Sequence, residues 1–301
     1  GSLGDNANAL EIGNDDVGAG FMDGKIDEVR IYNRGFSSSE VTSIYNSQKK
    51  AFPTVSKPTL SDGLVGYWNF NTGVGGSTVY DMSPGTTTNN GTMTNMDPST
   101  DWVDGKVGSG AMDFDGSDDY VTAGDIDEID GVTQLTVSYW FKSDNNIAIT
   151  SIASKEVDAN NRINAGQMVA ATSPSGLYLV MANGTNNYGK TSSFVNEGVW
   201  YHGVMVYDGS GATNADKLKY YIDGVQDTID FTGGGTIPST SDTNTAEFKI
   251  GTMDSTPPSE FDGQIDEVRI YNRALSATEI TNLYNSQKAA FPTVSKPTLS
   301  D

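Results

Sequence analysis

The sequence predicts an all-β protein built as a sandwich of two antiparallel sheets. Runs of alternating apolar and polar residues recur along residues 63–301, and turn-forming Asp-Gly pairs separate them at 115–116, 208–209, 223–224 and 262–263. Hydrophobic residues make up 36% of the chain and aromatic residues 10%, which is enough for a packed core. Many short strands separated by Gly and Asp turns are typical of a two-sheet sandwich.

The clearest predicted strand is Leu135–Phe141, in which every second residue from Leu135 onward is apolar. The segment Leu218–Ile222 alternates in the same way and ends at the turn 223–224, so it is predicted to form one arm of a hairpin. Further strand candidates are Leu177–Met181, Trp200–Tyr207, Phe248–Ile250 and Ile265–Tyr271. Residues 1–62 contain two more strand candidates, Ala9–Ile12 and Lys25–Tyr32.

One helix is predicted near the end of the chain. Ser276 and Glu279 have the spacing of a capping box, in which each side chain bonds to the backbone N–H of the other residue. The same spacing recurs at Ser37 and Glu40, which predicts a second copy of the helix there. After the later box, an apolar stripe at helical spacing follows: Ile280, Leu283 and Tyr284.

An internal repeat sets the organisation of the chain. Residues 23–62 and 262–301 align without gaps, and 31 of the 40 aligned positions carry the same residue. We therefore interpret residues 1–62 as the end of one repeat and residues 63–301 as the next complete repeat. The chain has the organisation of a window cut from a tandem array.

The repeat also predicts the domain boundaries. Residues 51–62 and 290–301 each contain two prolines and show no helical period, so they are predicted to be linkers. Residues 1–50 are then the C-terminal part of a preceding repeat, and residues 63–289 form a complete domain.

Charge and composition exclude several classes of function. Lys and Arg number 18 against 39 Asp and Glu, which gives a formal net charge of −21. Such a surface repels phosphate and excludes nucleic acid as a partner, and the sequence has no long apolar run that would insert into a membrane. The chain contains no Cys, so disulfides and thiolate metal sites are excluded. An acidic chain without Cys favours a secreted or cell-surface location, where calcium can stiffen its loops.

Four segments carry a resemblance to a known family. Residues 63–70 (GLVGYWNF) resemble the first strand of laminin-G-like modules of the concanavalin A-like lectin/glucanase superfamily, and residues 263–276 (GQIDEVRIYNRALS) resemble the closing strand. Residues 111–121 and 200–224 resemble signatures that lie between these two. The resemblance implies a jelly roll of two curved antiparallel sheets, to which the pattern above adds one short C-terminal helix per repeat. Because this fold hosts lectins, adhesion modules, pentraxins and glucanases, it implies no single function.

No enzymatic activity is expected. The related glucanases use carboxylates at Glu-x-Asp-x-x-Glu or Glu-x-Asp-x-Glu spacing, and here Glu128 and Asp130 match only the opening of that motif, because residues 131–133 supply no second Glu. His202 is the sole histidine, and it lies after Trp200 in a strand where the family places a structural His.

The first candidate calcium site contains Asp266. On strict alternation Asp266 shares the core face with Val268 and Ile270, where a carboxylate needs a counter-charge or several hydrogen bonds. In the related glucanases the matching Asp binds a structural calcium with carbonyls from the first strand and from a neighbouring turn, which implies positions near Asn69 and Gly116 here. The alternative is that Asp266 only accepts backbone hydrogen bonds.

Two further calcium sites are candidates. Laminin-G modules and pentraxins place a calcium-binding Asp in the loop that corresponds to residues 156–161, which implies Asp158, with Asp254 from residues 253–260 as its partner. Solvated loop carboxylates are the alternative interpretation. A third cluster has the spacing of an Asx turn: Asp115, Asp118 and Asp119.

The loop Asn183–Lys190 is the best candidate for a ligand-binding patch. Tyr188 could stack on a sugar ring while Asn186 and Asn187 bond to its hydroxyl groups. A plain surface hairpin is the alternative.

The sequence thus favours an extracellular tandem-repeat protein, such as a surface stalk, filament or adhesin, built of calcium-stabilised laminin-G-like modules that associate with copies of themselves. The alternatives are a carbohydrate-binding module of a large secreted protein, with glycans as partners, and a viral surface decoration protein.

Overall fold

The computed structural model describes Ile12 and residues 29–38, 40–41, 60–72, 75–85, 87–145, 150–168, 176–254 and 259–288. The chain divides into two units, Gly1–Thr54 and Val55–Asp301, and the second contains the sandwich. No helix within these described ranges has the length and apolar character needed to cross a membrane.

The described residues of the second unit form strands and helices with the following bounds. The strands are β1 (Leu64–Trp68), β2 (Thr78–Val79), β3 (Gly91–Thr94), β4 (Trp102–Val103), β5 (Ala111–Asp115), β6 (Tyr120–Thr122), β7 (Gln134–Ser143), β8 (Thr150–Ser151), β9 (Ala153–Asp158), β10 (Asn161–Met168), β11 (Leu177–Asn183), β12 (Tyr188–Thr191), β13 (Trp200–Asp208), β14 (Leu218–Ile222), β15 (Val225–Gln226), β16 (Ile229–Asp230), β17 (Phe248–Ile250) and β18 (Asp262–Tyr271). The helices are a 3-10 turn (Asp127–Ile129), α1 (Asn214–Lys217) and α2 (Ala277–Lys288).

Two antiparallel sheets pack face to face, which confirms the predicted jelly-roll sandwich. The smaller sheet has eight strands in the order β15-β14-β13-β7-β18-β5-β4, and β1 also pairs with β18. The larger sheet has ten strands in the order β16-β12-β11-β10-β9-β17-β6-β3-β2, and β8 also pairs with β10.

The core lies between the two sheets and follows the predicted alternation. In β7, Leu135, Val137, Tyr139 and Phe141 are fully buried and belong to the central apolar cluster. Tyr139 brings a hydroxyl group into this core, where it bonds to the Tyr220 hydroxyl at 2.9 Å, so the polar atom does not remain unpaired.

The predicted C-terminal helix is α2, and it covers the outer face of the smaller sheet. The capping box forms as predicted, since the backbone N–H of Ser276 donates to Glu279 Oε2 at 2.8 Å. On the face turned to the sheet, Tyr284 stacks on Trp140 with ring centroids 5.8 Å apart. Ile280 and Leu283 are buried, and each contributes about 1.5–3 kcal/mol through that burial.

A β-bulge in β18 breaks the predicted alternation at Asp266. Glu267 has a φ of +56°, and the register between β18 and β7 shifts directly after Asp266. Ile265 and Val268 both belong to the core cluster, whereas Asp266 pairs with Trp140 on the helix-covered face. The prediction that Asp266 shares the core face with Val268 is therefore wrong, because the bulge adds one residue between them.

The described part of the first unit contains a capped turn. Ser37 and Glu40 form the predicted capping box, with the Ser37 N–H donating to Glu40 Oε2 at 2.9 Å. The predicted strand Lys25–Tyr32 is not formed over its described portion, Val29–Tyr32, where no partner strand pairs with it. The strand candidate Ala9–Ile12 and both linkers fall almost entirely outside the described residues, and the domain boundaries stay a prediction.

Candidate functional site

The outer face of the larger sheet carries a buried ion pair. Ile163 points into the core, so its neighbours Arg162 and Asn164 take the opposite face of β10. There Arg162 lies opposite Glu156 of β9, with Nη1 3.3 Å from Oε1, and burial raises the pKa of the Glu156 carboxyl. The side chains of this pair are only 9% and 2% exposed, which is unusual for charged residues.

This face has unused hydrogen-bonding capacity. Asn164 donates to Ser151 Oγ at 3.0 Å, and its Nδ2 atom also lies 3.2 Å from Met253 Sδ. Among the described residues, however, nothing pairs with three buried polar atoms: Glu156 Oε2, Arg162 Nε and Asn164 Oδ1. A buried polar atom without a partner costs about 1–3 kcal/mol, so water bound to these atoms would stabilise the group of Glu156, Arg162 and Asn164, which we call the polar floor.

An aromatic pair and an amide side chain lie on and between the two strands that follow β10 in the same sheet. Tyr178 of β11 and Tyr188 of β12 lie with ring centroids 5.4 Å apart, and Lys190 Nζ lies 5.7 Å from the Tyr178 ring centroid. Arg162 Nη2 donates to Asn186 Oδ1 at 3.4 Å, which joins the floor to the loop that precedes β12. Half-buried rings beside polar groups form a surface that suits a polyhydroxylated ring.

The predicted ligand residues are only partly brought to this surface. Asn186 is exposed and Tyr188 is half-buried within it, whereas Asn187 is buried and donates to Thr185 Oγ1 at 2.8 Å. Asn187 therefore orders its own loop. Sequence analysis missed Arg162 and Tyr178, although their alternation with core residues in β10 and β11 carried the signal.

Asp266 is fully buried beneath the helix-covered face. Its Oδ2 accepts a hydrogen bond from the Val107 N–H at 2.8 Å, while Oδ1 has no partner among the described residues. Neighbouring Arg269 is bound to Glu267, with Nη2 2.5 Å from Oε2, so it does not neutralise Asp266. Burial raises the pKa of Asp266 to about 8, and this carboxyl therefore requires a proton or a cation.

The structure does not bring Gly116 to Asp266. Gly116 lies against Asp262, since a Cβ placed on Gly116 would be 2.7 Å from Asp262 Cβ. Asp262 precedes Asp266 by four residues on one strand, which is roughly 13 Å. The turn that reaches Asp266 is instead the one containing Val107, and β1 ends opposite Val268, which leaves Asn69 beside the bulge.

The carboxylates of the second predicted site are engaged locally. Asp158 is exposed and caps its own turn, with Oδ1 accepting from the Asn160 N–H at 2.7 Å, and that contact holds its pKa below the usual value. Asp254 is paired with Lys249, with Nζ 2.5 Å from Oδ1. The two carboxylates are therefore bound by different partners.

Two clusters of three carboxylates could hold a metal ion within the described parts of the chain. One is the predicted group of Asp115, Asp118 and Asp119, in which burial raises the pKa of Asp119 to about 6. The other is formed by residues 125, 127 and 130, and there Lys155 Nζ already lies 2.6 Å from Asp125 Oδ1. The lysine ammonium occupies the place that a cation would take in this second cluster.

His202 is buried on the face of the smaller sheet that α2 covers. Its Nε2 lies 3.1 Å from Ser138 Oγ, and burial lowers the pKa of the imidazole to about 3. Nδ1 has no hydrogen-bond partner among the described residues, so the pair lacks the carboxylate of a catalytic triad.

The fold is similar to several solved structures. Domain 4 of AbnA, a GH43 extracellular arabinanase from Geobacillus stearothermophilus solved with arabinotriose, is 24% identical with a TM-score of 0.54; the match covers 73% of this chain and 98% of that domain. The receptor-binding domain of botulinum neurotoxin C/D mosaic serotype is 13% identical with a TM-score of 0.52, and the match covers 76% of this chain and 52% of the toxin domain.

A mutant Trypanosoma rangeli sialidase with trans-sialidase activity is 14% identical with a TM-score of 0.51, and the match covers 82% of this chain but only 38% of the sialidase. These likenesses show the fold, and no curated protein matches the chain in sequence. Residues 115–281 match the laminin-G family model described as the concanavalin A-like lectin/glucanases superfamily. Because that match spans more than half of the chain, the chain belongs to the concanavalin A-like lectin/glucanase superfamily.

Proposed function

We propose that this chain is a non-catalytic, glycan-binding module of an extracellular tandem-repeat protein. The observation that carries the proposal is the outer face of the larger sheet, where the half-buried Tyr178 and Tyr188 rings lie 5.4 Å apart and Arg162 binds the amide oxygen of Asn186. A sugar ring would stack on a tyrosine, and its hydroxyl groups would bond to the exposed Asn186 amide and to the half-buried Lys190 ammonium. The arabinanase domain, solved with arabinotriose, is a structural neighbour that agrees with this class of ligand.

A glycan array followed by calorimetric titration tests the proposal. We expect binding with a micromolar dissociation constant, and we expect Tyr188→Ala or Tyr178→Ala to weaken it by about tenfold or more. Tyr80→Ala is the matched control, because Tyr80 is also exposed but follows β2 at the opposite edge of the same sheet. Binding that Tyr80→Ala weakens as much as Tyr188→Ala would contradict this site, and a silent array would contradict glycan binding.

The absence of catalysis is part of the proposal. The Glu128–Asp130 segment lies in and directly after the 3-10 turn, and the Asp130 carboxylate is bound to the Lys155 ammonium at 2.7 Å. His202 is buried together with Ser138, out of reach of a substrate. Release of reducing sugar from a bound glycan would contradict this part.

Calcium is proposed as a structural ion held by Asp266. The orphaned Oδ1 and the missing counter-charge fit a cation, and carbonyls near Asn69 and the Val107 turn could complete the ligand set. Bound calcium would neutralise the buried charge and fix the turn to the sheet. Calcium should therefore raise the melting temperature at pH 8, and Asp266→Asn should remove that response.

A second candidate function is a structural stalk or adhesin whose modules associate with one another. The repeat favours it, because 31 of 40 aligned residues are identical and near-identical modules in series are typical of surface stalks. A silent glycan array together with concentration-dependent self-association in sedimentation would favour this function over the first.

A further inference from the structure

Lys155 is a charged residue on the core face of the larger sheet. Its cross-strand neighbours are Ile163 in β10 and Phe248 in β17, and both belong to the central apolar cluster. Because directly paired residues of antiparallel strands point to the same face, the Lys155 side chain extends into the sandwich, where the residue is only 1% exposed. Lysine is almost never buried to this degree unless its amine has partners.

The partners of this amine lie in the segment that contains the 3-10 turn, between β6 and β7. Lys155 Nζ lies 2.6 Å from Asp125 Oδ1 and 2.7 Å from Asp130 Oδ1, and it donates to the Ile126 carbonyl at 3.3 Å. Ile126 and Ile129 are completely buried and belong to the same apolar cluster. One amine therefore meets two carboxyl groups at the edge of the apolar core.

These surroundings bring the amine and the more buried carboxyl group close to a reactive arrangement. The Asp130 side chain is 13% exposed and that of Asp125 is 30% exposed. Loss of water disfavours charged groups, so it favours the uncharged amine and acid that proton transfer from Nζ to Asp130 produces, and an uncharged lysine amine is a nucleophile. Since a carboxyl carbon lies one bond beyond its oxygens, the contact places Nζ close to the separation of about 3–3.5 Å that is typical of near-attack geometry.

We propose that Lys155 and Asp130 form an intramolecular amide bond, with Asp125 as the proton carrier. Asp130 first takes one proton from the Lys155 ammonium. Nζ then attacks Cγ of the Asp130 carboxyl group, so that an N–C bond forms and a C–O bond breaks. Asp125 takes a further proton from Nζ and passes it to the departing hydroxyl group, which leaves as water. The reaction needs no oxidant and no other reactant.

The bond ties β9 covalently to the segment between β6 and β7, and it closes a ring that contains residues 130–155. A covalent ring reduces the conformational entropy of the unfolded chain, as a disulfide does, and this chain has no Cys from which to make a disulfide. The inference does not depend on glycan binding.

Mass spectrometry of the intact, denatured protein tests the bond. We expect the wild type to be lighter than its sequence by one water. Lys155→Arg keeps the positive charge but removes the amine, and Asp130→Ala removes the carboxyl group, so both variants should have their full sequence mass. A wild type with the full sequence mass would overturn the proposal. An Asp-Gly pair that cyclises to a succinimide also loses water, but Lys155→Arg keeps those pairs, so an equal loss in that variant would contradict the bond.

A tryptic digest locates the bond. Because an acylated lysine resists trypsin, we expect a branched peptide in which residues 107–142 are joined through Lys155 to residues 143–162. Lys249 is the control in the same digest: its Nζ lies 2.5 Å from Asp254 Oδ1, but that carboxylate is 43% exposed, so normal cleavage after Lys249 is expected. Complete cleavage after Lys155 would contradict the proposal.

Asp125→Asn tests the proton carrier. The amide keeps the size of the side chain and accepts a hydrogen bond, but it cannot take a proton from Nζ, so we expect the folded variant to lose water about a hundredfold more slowly than the wild type. Asp127→Asn changes an exposed carboxyl group of the same segment and should react at the wild-type rate. Circular dichroism confirms that each variant is folded. Equal rates in Asp125→Asn and the wild type would contradict the role given to Asp125.

Discussion

The backbone N–H of Val107 donates a hydrogen bond to Asp266 Oδ2 at 2.8 Å, although 159 residues separate them in the chain. The bond fixes the turn around Val107 to a strand in the middle of the smaller sheet. It satisfies one carboxyl oxygen, while the other stays buried without a partner among the described residues.

Asp266→Asn should stabilise the calcium-free protein at pH 8 and have a much smaller effect near pH 4. The folded-state pKa of about 8 lies above the unfolded value, so the native state binds an extra proton between about pH 4 and pH 8. The free energy of unfolding of the wild type should then fall as pH rises through this window, by on the order of 1.4 kcal/mol per pH unit at most. Asn has no such dependence.

Chemical denaturation with a chelator at pH 5, 6, 7 and 8 measures this difference, with Asp118→Asn at an exposed carboxyl as the control. If the stability of Asp266→Asn runs parallel to that of the wild type across these pH values, the buried acid does not titrate as described.

Lys155→Met should lower the free energy of unfolding by roughly 3 kcal/mol. The Lys155 ammonium is buried and lies 2.6 Å from Asp125 Oδ1 and 2.7 Å from Asp130 Oδ1, so its removal leaves two carboxylates without a counter-charge. Urea titration measures the loss. Lys249→Met is the comparison, because its partner Asp254 is 43% exposed and solvent screens that pair; an equal loss in both variants would contradict the role given to burial.

Ser276→Ala should cost about 1 kcal/mol, because it removes the oxygen that accepts from the Glu279 N–H at 3.3 Å. Ser37→Ala is a matched control in the N-terminal copy of the same capping box. Ser276 caps a helix of the unit that contains the sandwich, whereas Ser37 belongs to the other unit, so only Ser276→Ala should lower the melting temperature of the sandwich. If the two variants lower the melting temperature equally, the effect does not come from the packing of α2 on the sheet.

Gln287→Leu should destabilise the sandwich by about 2 kcal/mol. Gln287 accepts from Trp140 Nε1 at 2.9 Å and donates to Glu267 Oε2, so leucine leaves the buried Trp140 N–H unpaired and removes one of the hydrogen bonds to the buried Glu267 carboxylate. Gln48 aligns with Gln287 in the internal repeat and belongs to the other unit, so Gln48→Leu should leave the thermal unfolding of the sandwich unchanged. Indistinguishable melting curves for Gln287→Leu and the wild type would contradict the network under α2.

Periodicity predicted the strands of the sandwich because residues such as Val137 and Phe141 report burial by their own spacing. It could not show on which face of the sheet Asp266 lies, since the bulge at Glu267 depends on pairing with β7 and does not interrupt the sequence pattern of alternating apolar and polar residues. The Arg162–Glu156 pair was also missed, because a charged residue in a strand predicts exposure to solvent, whereas here both side chains are buried and Met253 Sδ lies 3.8 Å from Arg162 Nη1. Neither the proposed glycan surface nor the proposed calcium site follows from composition, since both depend on which loops meet.

The position of β18 has a consequence during synthesis of the chain. Arg269 of β18 stacks over the ring of Tyr67 in β1, 4.0 Å from its centroid, yet about 200 residues separate these strands in the sequence. A ribosome that adds about 5–20 residues per second needs roughly 10–40 seconds to travel between them. Throughout that interval β1, β5 and β7 lack the strand that joins them, so the nascent module exposes open sheet edges until its last strand emerges from the exit tunnel.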